Sequence, residues 1–286
     1  MRRGCATAGL RGAGALLALV LPACAPAQPS PAAPPSPSLA LDHVPVAVRR
    51  LDDARRTYER LGFRLKPGRL HPNGLHNAFA KLADGAYLEL ISPERGAADA
   101  LAGEYAAFLA GGEGGAFLAL AADSLARLSR RLDAAGAPGE LRSYPGAFAT
   151  RAFADTALAW LFLIEYLAPV ADPPGVLDHP NTAVGMETVW LAEASHASLG
   201  PLRDLLPAGR VRPSTAAGPP RAPVLGVTLR VRSADSARAA VRSGTGLDLP
   251  LRRDARGRSV RVPASHAHGI WIELLEPRPP SPAPRP

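Results

Sequence analysis

The chain has 286 residues, is 47% hydrophobic and 20% charged, and carries a formal net charge of +8. That composition excludes a disordered or fibrous chain and leaves one large domain or two moderate ones with ample apolar material for a core. The basic excess is almost entirely arginine, Lys66 and Lys81 being the lysines. The arginines are scattered, without long basic runs or interleaved aromatics, so no nucleic-acid partner is indicated.

In chain order, Arg2, Arg3 and Arg11 precede an apolar run at 13–21. This reads as an export signal, because the run is well short of the ~20 residues that a spanning helix needs. Two processing patterns stand side by side. Leu21-Pro22-Ala23-Cys24 resembles a lipobox, which would lipidate Cys24; Ala25-Pro26-Ala27 resembles an A-x-A site, which would leave Gln28 first. The expectation is a bacterial exported protein, periplasmic or anchored to the outer membrane, touching lipid only through such an anchor. Cys5 and Cys24 are the cysteines. The chain beyond residue 24 therefore has no disulfide and no thiolate nucleophile or ligand, and any metal must be held by histidine and carboxylate. Residues 25–38 form a Pro/Ser/Ala linker and 278–286 a proline-rich tail, both expected to be disordered.

Between them, four strand–helix units are predicted: 41–48 with 51–61, 116–121 with 124–135, 186–192 with 198–206, and 224–231 with 234–242. Apolar residues alternate or run continuously in the strands and recur at three- and four-residue spacing in the helices. Gly62, Gly136 and Gly244 close three of the helices. After units one, two and four, an apolar strand carries a glutamate followed four residues later by proline: Glu89 with Pro93, Glu165 with Pro169, Glu273 with Pro277. A carboxylate in an apolar strand is costly to bury without a partner, so each is a site candidate. Unit three lacks the pattern, and 207–223 reads as loop. The fold class expected is α+β, built of paired βαβββ modules, with a first domain over 39–170 and a degenerate second pair over 171–277.

Alternation places His43, Pro45 and Ala47 on one strand face and Val44, Val46 and Val48 on the other, against the helix. Asp84-Gly85 is read as a two-residue hairpin turn. It would pair Ala80 with Glu89 and put Ala78 and His76 on the Glu89 face, with His76 ~13 Å along the strand from Ala80. His76, Asn77 and His71 are then expected as substrate-binding residues along the pocket wall. His266 and His268 read as solvated loop residues, and Trp160, Trp190 and Trp271 as core aromatics.

Leu41-Asp42-His43-Val44-Pro45, Tyr58-Glu59-Arg60-Leu61-Gly62-Phe63, His71-Pro72-Asn73-Gly74-Leu75-His76-Asn77 and Asp84-Gly85-Ala86-Tyr87-Leu88-Glu89 together resemble the first module of a glyoxalase-like domain of the vicinal oxygen chelate superfamily. His179-Pro180-Asn181 fits the same resemblance. It implies sheets curled round a cup-shaped cavity and one divalent metal, such as Zn, Mn, Fe or Ni, chelating adjacent substrate oxygens. His43, Glu89 and Glu165 are the ligands it implies, with Glu89 or Glu165, when unbound, as proton-transfer base. The first-strand ligand place of module two falls on Ala116 or Phe117. In the second half Glu187 and Glu273 take ligand places and Gly226 takes a fourth. Two functions are open: a metal-dependent lyase, isomerase or dioxygenase acting on a small molecule with adjacent oxygens, or a non-catalytic binding protein that has lost the metal. The incomplete ligand set favours the second, the His43–Glu89 pair the first. No phosphate loop, Gly-x-Ser-x-Gly elbow or Cys/His pair is present, so no nucleotide cofactor is expected.

Overall fold

A computed structural model of the chain describes residues 39–169 and 171–279. The expected signal, its cleavage sites, the linker and most of the tail lie outside the described residues.

The first module begins with β1 (Leu39–Ala47) and α1 (Leu51–Arg60). Val44, Val46 and Val48 are fully buried in one core with Leu51, Ala54 and Tyr58 of α1, the stripe that a helical period presents. Three strands follow, β2 (Lys66–Leu70), β3 (His76–Lys81) and β4 (Tyr87–Ser92). β4 returns parallel to β1, and β3 and β2 continue antiparallel beyond it. Next come α2 (Ala100–Leu109) and β5 (Gly114–Gly115), then a second module of β6 (Leu118–Ala122), α3 (Leu125–Ala134), β7 (Gly139–Tyr144), β8 (Phe148–Phe153) and β9 (Leu161–Tyr166). β9 is parallel to β6 as β4 is to β1. Antiparallel pairing of β1 with β6 joins the two modules.

The second half contains β10 (Ala183–Leu191), α4 (Glu193–Ser198), β11 (Val211–Pro213), β12 (Val224–Val231), α5 (Ala234–Thr245), β13 (Arg252–Asp254), β14 (Gly257–Val262) and β15 (Trp271–Pro277). β12 pairs antiparallel with β10 and parallel with β15. The short β5 pairs with β1 on one side and with Val224 of β12 on the other. It thereby joins the halves, so that among the described residues the strands form one mixed sheet.

Three expectations change. The stretch 207–223 is not all loop: β11 lies parallel beside β10, in the place a module's last strand takes. The third helix begins at Glu193, before the expected 198, and gives way to a 3-10 turn over Gly200–Leu205. α5 runs through Gly244 and closes on Gly246 (φ 77°). Gly244 is needed inside the helix because a Cβ there would collide with the carbonyl of Arg60 on α1. No described helix is long and apolar enough to cross a membrane.

Candidate functional site

The site lies on the sheet face opposite α1. His43, Pro45 and Ala47 occupy it from β1, as alternation predicts. From β4 it receives Tyr87, Glu89 and Ile91, because Leu88 and Leu90 are fully buried on the helix side. Parallel pairing sets His43 beside Tyr87 and Pro45 beside Glu89. His43 Nε2 then stands 3.6 Å from Glu89 Oε2. The other ring nitrogen, Nδ1, hydrogen-bonds the carboxylate of Asp42. Strict alternation would send Asp42 to the far face, but the β1–β6 register slips between Leu41 and His43. Such a bulge re-aims a side chain, and here it turns the carboxylate toward its neighbour's ring. Tyr166 donates its hydroxyl to Asp42 Oδ1 (3.0 Å) and shares a hydrogen bond with the Tyr87 hydroxyl (3.1 Å). The Tyr87 ring stacks on His43 at 4.4 Å, so the imidazole is held at its edge and its face. Burial, reinforced by the charge of Glu89, pushes the Tyr87 phenol well up, and burial followed by Asp42 does the same for Tyr166. Both hydroxyls therefore stay protonated donors.

The hairpin corrects the expected register. Leu82 N–H donates to Ala86 O, enclosing three loop residues, with Gly85 at φ 90°. Lys81 thus pairs with Tyr87, and Phe79, not Ala80, with Glu89. A one-residue slip reverses every side chain on a strand. Ala78 and Ala80 go into the core and His76 follows their parity, away from Glu89. Asn77 takes the place expected for His76. Its Nδ2 donates to Glu89 Oε1 (2.8 Å), while its Oδ1 accepts from Arg69 N–H (3.0 Å). His71 lies in the turn between β2 and β3. Partial burial, then the Arg69 charge, lowers its pKa, with Glu89 and Asn77 opposing.

Glu165 does not join this group. Its Oε2 accepts from the Leu125 N–H (2.8 Å) at the start of α3, on the helix side of the sheet. Counted from the helix starts, the β6–β9 partners Ala119 and Phe162 are the equivalents of Pro45 and Glu89. Phe162 therefore stands where Glu89 stands, and Glu165, three residues further, faces the other way. The shared spacing to proline does not mark a shared place in the sheet. The first-strand place matching His43 is Phe117. Phe162 packs edge-on to the His43 ring (5.5 Å) and Phe117 edge-on to Phe162 (6.5 Å). Beside them Ala102, Tyr105 and Leu109 of α2 pack on Ala47 and Ile91, so α2 occupies part of the face expected to line a cavity.

The donor set is thus His43 Nε2 and Glu89 Oε2. The positions that would complete a metal shell are phenylalanines, and among the described residues no group of three or more His, Cys, Asp or Glu could hold a metal ion. Two donors fall short of the three protein ligands of an open catalytic site. This pair does not fit a resident ion on its own.

In the second half Glu273 pairs with Thr228 at the place equivalent to Glu89. It is fully buried and saturated. Arg256 donates through two nitrogens (2.8 and 2.9 Å), and Arg261, Ser259 and Thr228 donate as well. Burial alone would raise its carboxyl, but the Arg256 and Thr228 hydrogen bonds and the Arg256 charge bring it down to about 2. Gly226 has Trp190 and Trp271 where a side chain would be, and Glu187 faces Arg230 at 3.6 Å. His268 is not the solvated residue expected from sequence. Its Nδ1 pairs with Glu113 (2.8 Å) and its Nε2 with the Thr57 hydroxyl (3.1 Å), from a backbone at φ 53°.

These features agree with the comparisons. The family model of the glyoxalase-like domain matches residues 41–200. The chain belongs to that family. Among solved structures, it resembles 2,2′,3-trihydroxybiphenyl 1,2-dioxygenase from Sphingomonas wittichii at 15% identity, with TM-score 0.55, over 84% of this chain and 90% of that one. It resembles the Mn(II)-bound glyoxalase from Novosphingobium aromaticivorans at 16% identity, with TM-score 0.54, over 84% and 83%. A catechol 2,3-dioxygenase aligns at 13% identity, with TM-score 0.54, over 87% and 96%. At these identities the likeness is one of fold, that of the vicinal oxygen chelate superfamily. None of the curated proteins compared with the chain matches it.

Proposed function

We propose that the chain binds a small molecule bearing adjacent oxygens against His43, Glu89 and Asn77, and that it does so without a resident metal ion. The observation that carries this reading is the 3.6 Å approach of His43 Nε2 to Glu89 Oε2 next to two phenylalanines in the remaining ligand places. Asp42 accepts from Nδ1–H, which leaves the Nε2 lone pair facing the site; this tautomer is assigned from the hydrogen-bond partners. Glu89 Oε1 is engaged by Asn77, which leaves Oε2. Two acceptors side by side suit two neighbouring hydroxyls, and Oε2 is the atom that takes a proton from a bound hydroxyl.

A metal-dependent lyase, isomerase or dioxygenase is the competing reading. Its support is the family and the Mn(II)-bound neighbour, and the chain's own donor set stops at two. Catechol is a suitable probe, since it carries two adjacent hydroxyls. Titration followed by the NMR shifts of the His43 ring is expected to saturate, with Glu89→Gln at least tenfold weaker. No movement of His43, or equal binding by the variant, would contradict the proposal. We also propose export, on the basic and apolar residues ahead of Cys24. The intact mass of the secreted chain distinguishes lipidation at Cys24 from a new terminus at Gln28, and an uncleaved cytoplasmic chain would count against export.

A further inference from the structure

We propose that the second half carries a separate oxyanion-binding pocket, with Arg212 of β11 and Arg261 of β14 as its anchors and a carboxylate or phosphate group as its ligand. A cavity of about 550 Å³ opens beside β10 and β11, lined by Trp190, Arg212, Ser214, Thr215 and Arg261, with Glu193 as its acid. The two guanidinium groups lie over the Trp190 ring at 5.2 and 5.4 Å from its centroid. The indole is itself fixed, Nε1 donating to Thr228 Oγ1 (2.9 Å). Cation–π contact orients both cations without neutralising them.

The only carboxylate within ion-pair reach of these two arginines among the described residues is Glu273, and its oxygens already accept five hydrogen bonds. Arg261 donates to it through Nε alone (3.0 Å), and Arg212 stands 4.0 Å away, beyond hydrogen-bond distance. Among the described residues the Arg212 guanidinium has no hydrogen-bond acceptor. Within ion-pair distance among the described residues, Arg212, Arg256 and Arg261 face Glu273 and Asp254 alone; Glu193 of the lining balances the total charge but pairs with none of the three. Half-burial and the Arg256 charge both disfavour the charged form of Arg212. A planar fork with unmet donors suits the bidentate geometry of carboxylate or phosphate, and the Ser214 and Thr215 hydroxyls add neutral donors.

The test is isothermal titration calorimetry of the full chain at fixed ionic strength, with inorganic phosphate in one arm and benzoate in the other. Saturable one-site binding of either probe, weakened at least tenfold in Arg212→Gln and unchanged in Arg242→Gln on the exposed end of α5, supports the pocket. Phosphate alone points to a phosphorylated ligand, benzoate alone to a carboxylic acid. Should Arg212→Gln fail to fold, Arg212→Lys keeps the charge but loses the fork, and is expected to bind several-fold more weakly. The proposal is overturned if neither probe binds, if the Arg212 variants bind like the parent chain, or if Arg242→Gln weakens binding as much as they do.

Discussion

Glu89 and Glu273 hold equivalent strand positions in opposite surroundings. Glu89 meets a histidine and an amide and keeps one oxygen turned to the site, whereas Glu273 is enclosed by donors on both oxygens. In the proposed function the first exchanges a proton with a ligand; the second is part of the architecture. Glu273→Gln leaves Arg256 and Arg261 without their anion and is expected to cost about 3 kcal/mol, read from denaturant unfolding. The pH dependence has a definite sign. The folded carboxyl, at about 2, lies below its ordinary value of 4.5. The stability it contributes is therefore complete above about pH 5 and is lost as pH falls toward 2. Unfolding free energy should fall through that window in the parent chain and fall less in Glu273→Gln. Glu165 has a different task, since it accepts the first N–H of α3. Glu165→Ala is expected to cost about 1 kcal/mol, as for other lost helix caps, and to leave the shifts of the His43 ring where they were.

Among the elements, the β3–β4 hairpin decides which polar side chains meet Glu89. Gly85 carries the turn at φ 90°, and no atom lies within 4 Å of where its Cβ would be. Gly85→Ala should therefore cost about 1 kcal/mol through backbone conformation alone, without a packing change, as measured by thermal unfolding. This turn also marks how far the sequence could be read. β1 and α1 are legible because valine alternation and a three-four apolar stripe agree, and that agreement places His43 on the face away from the helix; Glu89 joins it through the family resemblance. The β3 face was not legible, because Asp84-Gly85 suits a two-residue loop as well as the last two residues of a three-residue one. The difference reverses His76 and Asn77. Glu165 was misplaced because a glutamate–proline spacing carries no information about register. Asp42 was missed because a bulge breaks the period that makes a strand readable. α2 gave no signal, since its apolar residues surround the helix instead of forming a stripe and Gly103 interrupts it.

For the molecule as a whole, several links join the halves. One is β5, where a Cβ on Gly115 would come 2.6 Å from the carbonyl of Val224. Others are His268, reaching from the loop before β15 to Thr57 of α1 and to Glu113, the approach of α5 to α1 at Gly244 and Arg60, and the hydrogen bonds of His179 and Asn181 to the first module. Gly115→Val should force the strands apart at the first link and destabilise the chain by about 2–3 kcal/mol, measured by urea unfolding. The first half then offers a closely approached His–Glu pair among aromatics, and the second offers arginines gathered round a saturated glutamate. The proposed binding face has two donor atoms, His43 Nε2 and Glu89 Oε2. Metal analysis of the full chain, equilibrated with Mn(II) or Zn(II) and then desalted, tests this directly. Well under one ion per chain, with no difference between the parent and His43→Ala, is the predicted result; one ion per chain, lost in both His43→Ala and Glu89→Ala, would contradict it.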